Sequence, residues 1–154
     1  MLRYTVADVC SRAVFTLPVE STLGSVHRAM ERLGIRHIPI VDSDHRLVGI
    51  ISDRDVLRHV NSDGSLSAEK DALPVDSIMN RNPICCRPSD SLNDAAALLM
   101  EHSIHCLPLK DAKGVVTGLI TNTDLLRTLK MQSWQQARPA RLNFMESSLG
   151  VDHF

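Results

Sequence analysis

The chain lacks any hydrophobic run near the roughly 20 residues that span a bilayer, so no transmembrane helix is expected within its 154 residues. Its first residues, MLRYTVADVCSRAVF, hold no long apolar stretch followed by a small-residue cleavage site, and a cytoplasmic protein is expected. Aromatic residues are scarce at 3%, which leaves the core to Leu, Ile, Val, Ala and Met. There is no excess of one charge sign. A net charge of −1 gives no electrostatic reason for a nucleic-acid or anionic-membrane partner. Catalytic signatures are missing too: no G-x-S-x-G, no H-E-x-x-H and no P-loop. No enzyme activity is expected.

Cysteine is limited to Cys10, Cys85, Cys86 and Cys106, too few for a disulfide framework in a chain this long. Cys85-Cys86 and His105-Cys106 are adjacent pairs, unlike the C-x₂-C spacing of structural zinc sites. Neighbours on a strand point to opposite faces. These residues therefore read as small buried groups, with metal or thiol redox sensing as the alternative.

What is present is a repeat. GIISDRDVLR at Gly49–Arg58 returns as GLITNTDLLR at Gly118–Arg127, 69 residues later. The same shift lays Leu23–Arg58 over Leu92–Arg127 without a gap, with 9 of 36 positions identical. Among them are Pro39/Pro108, Gly49/Gly118 and Asp55/Asp124. Upstream the match is looser, with one residue of slip near the prolines.

Each copy has one order of elements. A leader (Val6–Cys10, Val75–Met79) precedes a first strand, expected at Val14–Leu17 and Ile84–Cys86. In the helix that follows in the first copy, Leu23, Val26, Met30 and Leu33 recur at helical spacing, and Gly34 suits its stop. HIPIVD and LVGIIS, or CLPLKD and VVTGLIT, read as a hairpin. A second helix opens at the hydroxyl-x-x-Asp. The fold class is α/β (α+β): tandem β-α-β-β-α repeats with pseudo-twofold symmetry and two sheets packed with helices outside. The expected limits are 6–60 and 75–130, with a polar linker at 61–74 and a helix end and tail at 131–154, where Pro139 should stop the helix and Trp134 packs.

Three motifs in one order and spacing in both halves carry a resemblance: V-x-x-I-M at Val75–Met79, I-x-x-h-P-h at Ile35–Ile40 and Ile104–Leu109, and G-h-h-[ST]-x-x-D-h-h-R. The chain resembles a pair of CBS domains, the family named after the regulatory region of cystathionine β-synthase. The resemblance spans about Val6–Thr128 and implies a stand-alone Bateman module with a cleft between repeats on each side. It further implies an adenosine-containing regulatory ligand (AMP, ADP, ATP, NAD(H), S-adenosylmethionine or cyclic di-AMP) with no required cofactor, a homodimer, and a regulated partner protein. Carried over by motif, Ser52 and Asp55, with Thr121 and Asp124, match the ribose and phosphate positions. Phe15, Asn82 and Ile84 near the first strands match the adenine and phosphate lining, as do Arg36, His37 and Pro39 with His105, Cys106 and Pro108.

The chemistry is apt. A carboxylate suits two vicinal ribose hydroxyls, since charge-assisted bonds are about twice as strong as neutral ones. A helix start next to it offers free N–H groups to phosphate. The same letters also form a capping box with Asp in the usual Glu position. Cap and ligand contact are compatible in one side chain, and the letters leave both open. The clefts need not be equal, because Asp53-Arg54 stands where the second copy has Asn122-Thr123, and a guanidinium is the better phosphate partner. A ligand-free dimeric scaffold, its clefts filled by side chains, is the alternative from a different functional class.

Overall fold

The computed structural model describes residues 4–132; Trp134, Pro139 and the tail lie outside the described residues. Chain order runs α1 (Val6–Val9), β1 (Leu17–Pro18), α2 (Leu23–Leu33), β2 (His37–Val41), β3 (Leu47–Ser52) and α3 (Asp53–Leu57). The linker contributes one turn of helix, α4 (Ala68–Asp71), and a 3-10 turn follows at Val75–Ser77. The second copy adds α5 (Leu92–Glu101), β4 (Cys106–Lys110) and β5 (Val116–Thr121), and a helix over residues 122–132, here α6. No helix among the described residues is long and apolar enough to cross a membrane.

Local chemistry sets the element limits. The Thr22 hydroxyl accepts from Ser25 N to start α2, and left-handed Gly34 (φ 63°) stops it by returning its N–H to the Met30 carbonyl at 2.9 Å. In the second copy Ser91 caps α5 through Asp94 N at 3.1 Å. Ser103 takes the left-handed turn that Gly34 takes in the first, at φ 52°.

β2 and β3 pair antiparallel, as do β4 and β5, in the same register: His37 faces Ser52 and Cys106 faces Thr121. The first strands are shorter than expected. β1 is two residues, parallel to β2 from Ile40 onward, and the second copy has a single bridge, Cys86 to Leu109. The cause is a proline in the neighbouring strand. The Pro108 carbonyl accepts from Cys86 N, so on that edge Pro108 has no N–H to return. Pro39 holds the equivalent place. The pairs Leu17–Ile40 and Cys86–Leu109 obey the same shift of 69, so the slip expected near the prolines is absent.

The two halves are joined symmetrically. At the hairpin tips Leu47 N donates to the Gly114 carbonyl at 2.9 Å and Val116 N to that of His45 at 3.4 Å, placing a pseudo-twofold axis between Arg46 and Val115. The leaders are exchanged. Ser11 and Leu119 trade both backbone bonds at 2.9 Å, so the first leader lies along β5 of the second repeat. Asn80 and Ile50 do the same in reverse, at 2.9 and 3.0 Å. Val6 accordingly belongs to the core formed with Leu99, Leu107, Leu109 and Ile120. Val75 and Met79 belong to the core of Leu23, Val26, Ile38, Ile40 and Ile51.

This crossing explains the motif glycines. A Cβ on Gly118 would lie 3.0 Å from the Ser11 carbonyl oxygen and 3.2 Å from Cys10 Sγ, and one on Gly49 would meet the Met79 side chain and, at 3.0 Å, the Asn80 carbonyl oxygen. What needs the missing side chain is the other repeat's leader.

Candidate ligand site

Both hydroxyl-x-x-Asp motifs close as capping boxes at the starts of α3 and α6. Asp55 Oδ2 accepts from Ser52 N at 2.8 Å and from its hydroxyl at 2.9 Å, while Asp55 N donates to Ser52 Oγ at 3.4 Å. Asp124 Oδ2 accepts from Thr121 N at 2.9 Å and Thr121 Oγ1 at 3.0 Å, with Asp124 N donating back at 3.2 Å. The other carboxylate oxygen meets the motif arginine, Arg58 or Arg127, at 3.5 Å in each copy. Oδ2 is thus committed to the cap. Oδ1 holds one long contact and is the oxygen an incoming hydroxyl can reach.

Asp124 also lines a cavity of about 250 Å³, just under the lower bound of roughly 300 Å³ for small-molecule pockets. One wall is α6, with Asp124, Arg127, Thr128, Met131 and Gln132; the other is the exchanged leader, with Tyr4, Asp8 and Val9. The Thr128 hydroxyl donates to the Asp124 carbonyl at 2.9 Å. Asp8 is itself half of a capping box, and hydrogen bonds from the Thr5 backbone and hydroxyl hold its carboxyl below the usual range. The cavity therefore sets two carboxylates against one guanidinium.

Sequence reasoning missed Tyr4, Asp8, Val9, Arg127 and Thr128. The helical spacing of 124, 127, 128 and 131 was a usable signal for the last two. None existed for the leader residues, because their place depends on the exchange.

The other expected site residues divide. Arg36, His37 and His105 gather near the two helix starts: the Arg36 carbonyl accepts from Asp53 N at 2.8 Å and that of His105 from Asn122 N at 3.2 Å. His105 Nδ1 lies 3.1 Å from Asn122 Nδ2. His37 titrates below its ordinary value because burial disfavours its charge; Asp53 and Asp55 oppose this, while His105 and Arg36 reinforce it. Groups from both repeats therefore meet electrostatically there. Arg54 is exposed on α3.

Pro39 and Pro108 are fully buried within their strands and border neither cavity. Cys106 is 5% exposed, and desolvation pushes its thiol up to about 12. Asn82 is exposed, with its N–H on Asn80 Oδ1 at 3.1 Å, and Ile84 packs against the second core. Phe15 lines a separate groove of about 390 Å³ with Ser25, Arg28 and Leu33 on α2, away from the motif aspartates.

Two α/β repeats that exchange leaders across a pseudo-twofold, each opening its last helix with a carboxylate-bearing cap, define a tandem-repeat module. The sequence pattern of the CBS domain matches twice, at residues 6–62 and 75–131. The chain belongs to the CBS domain family. It is 31% identical over 134 residues to a CBS domain-containing protein of Dictyostelium discoideum, covering 83% of this chain and 92% of that one. The solved structure of the acetoin utilization protein AcuB from Vibrio cholerae is similar at 33% identity and a TM-score of 0.74, over 88% of this chain and 97% of that one. CBSX2, solved with AMP, is similar at 26% identity and 0.74, over 84% and 98%. Enzymes match through a small part of their length, as with 20% of the inosine-5'-monophosphate dehydrogenase of Bifidobacterium longum.

Proposed function

We propose that this chain is a regulatory module that binds an adenosine-containing nucleotide in the clefts between its repeats and signals occupancy to a partner protein. The observation that carries this reading is Asp124 at the wall of a cavity whose facing wall comes from the other repeat. A nucleoside seated there sets its ribose hydroxyls against Asp124 Oδ1 and its phosphate toward the start of α6, where Thr121 and His105 stand, with Arg36 and His37 at the start of α3. Ser52 and Asp55 take the same roles in the first repeat. The AMP held by CBSX2, 26% identical to this chain, supports an adenosyl ligand. Because α6 and the leader belong to different repeats, a ligand touching both favours the arrangement that brings them together. Only such differential affinity can shift a conformational equilibrium.

Calorimetric titration of AMP, ATP, NADH, S-adenosylmethionine and cyclic di-AMP tests this. Binding of at least one is expected, weakened tenfold or more by Asp124→Ala or Asp55→Ala. If the wild type binds none of the five, the proposal falls for these ligands.

The dimeric part of the scaffold reading is favoured by a different observation. Leu57 and Leu126, at equivalent positions on α3 and α6, are 63% and 64% exposed, with Leu129 and Met131 beside the latter. Such apolar exposure on two helices suits a homodimer contact, which is compatible with ligand binding. Sedimentation equilibrium of wild type and Leu57→Glu/Leu126→Glu checks it.

A further inference from the structure

The shift of 69 that carries one cleft onto the other also shows where they differ. It places Asp124 on Asp55, Arg127 on Arg58, Asp8 on Ser77 and Thr128 on His59. The leaders occupy equivalent seats. Val75 N donates to the Ser21 carbonyl at 2.9 Å and Val6 N to that of Asp90 at 2.8 Å; Leu23 N donates to the Leu73 carbonyl at 2.8 Å and Leu92 N to that of Tyr4 at 3.4 Å. The first cleft thus pairs the end of α3 with the leader around Ser77, as the second pairs α6 with the leader around Asp8.

At position 128 the side chain is self-sufficient, its hydroxyl spent on the Asp124 carbonyl. At position 59 it is not. His59 follows α3 with its backbone N–H on the Val56 carbonyl at 2.9 Å, and its Nδ1 is buried with no hydrogen-bond partner among the described residues. A buried polar atom left unsatisfied is disfavoured in the folded protein, and such atoms are uncommon. His59 stands in the turn just past the end of α3, two residues beyond Leu57.

Resting on the nucleotide reading above, we propose that His59 is a specificity-determining contact of the first cleft. Its Nδ1 hydrogen-bonds a polar group of the bound nucleoside.

The test uses the full chain with AMP and ATP as probes. In calorimetry, His59→Leu weakens binding at one class of site about tenfold, the class that Asp55→Asn also weakens. In ¹⁵N-histidine spectra of the wild type at fixed pH, saturation with AMP or ATP shifts the His59 Nδ1 resonance, and the other six histidines serve as internal references. Should His59→Leu fold poorly, His59→Thr, which copies the sister position, gives the same reading. Absence of binding to the wild type overturns the nucleotide reading together with this proposal. Binding that His59→Leu or His59→Thr leaves unchanged, or an unmoved His59 resonance at saturation, overturns the role of His59 alone.

Discussion

Gly118→Ala puts a methyl group where the first leader crosses β5. The new Cβ lies 3.0 Å from the Ser11 carbonyl oxygen and 3.2 Å from Cys10 Sγ. The oxygen is backbone and is engaged by Leu119 N at 2.9 Å, while Ser11 N is held by the Leu119 carbonyl at the same distance. Relief of the overlap lifts this stretch and weakens both bonds. At roughly 1 kcal/mol of net stability per bond, their loss costs about 2 kcal/mol. If the leader detaches as a whole, exposure of Val6, which is completely buried, adds about 1.5–3 kcal/mol. Gly118→Ala is therefore expected to cost about 1–3 kcal/mol and Gly118→Val about 3–5 kcal/mol, against a total of about 5–15 kcal/mol for an ordinary domain. Urea unfolding at 25 °C gives the stability change, and hydrogen exchange at Ser11 and Leu119 reports whether the bonds open. Unchanged midpoints for both variants with both amides still protected would refute the idea that these glycines exist to admit the leader.

The left-handed Ser103 stands where the first repeat has Gly34; Ser103→Gly should raise stability by about 0.5–1 kcal/mol, since a side chain at positive φ costs about 1–2 kcal/mol, and a thermal melt checks it. His37, half-buried and held below its ordinary value near 6.5 by desolvation, takes up its proton later than in the unfolded chain as pH falls. Its contribution to stability is therefore intact above pH 6.5 and is lost as pH falls below that value toward the folded one. Urea midpoints at pH 7.5 and 5.5 should draw closer together in His37→Gln than in wild type. Burial pushes the Cys86 and Cys106 thiols up to about 12, so iodoacetamide at pH 8 should leave both unmodified in the native protein and alkylate them in urea, as read by peptide mass.

Much of each repeat could be read from its letters because the signals are local. Apolar spacing and the left-handed glycine bound α2, and the short apolar runs around Pro39 and Pro108, each followed by a turn and a second run, show the hairpins. The doubled hydroxyl-x-x-Asp finds the two helix starts that the structure closes as caps. The first strands were overestimated because Pro39 and Pro108, in the partner strand, decide how far pairing extends. The leader exchange was not legible for a deeper reason. Val6 and Val75 announce that they will be buried, but a hydrophobic side chain carries no address, and the letters do not say which core receives it. Tyr4 and Asp8 were missed at the cavity for that reason alone, since their arrival beside Asp124 follows from the crossing and from nothing in their own neighbourhood.

The crossing also bears on how such a chain could arise. A single repeat made alone has a leader without a seat and a core without its last apolar wall, and two copies remedy both defects by trading leaders. The present protein is in effect that traded pair written on one chain, with Asn61–Pro74 as the tether that turns a concentration-dependent assembly into an intramolecular one. Neither half should therefore melt by itself, and separated halves should be soluble and folded only when mixed.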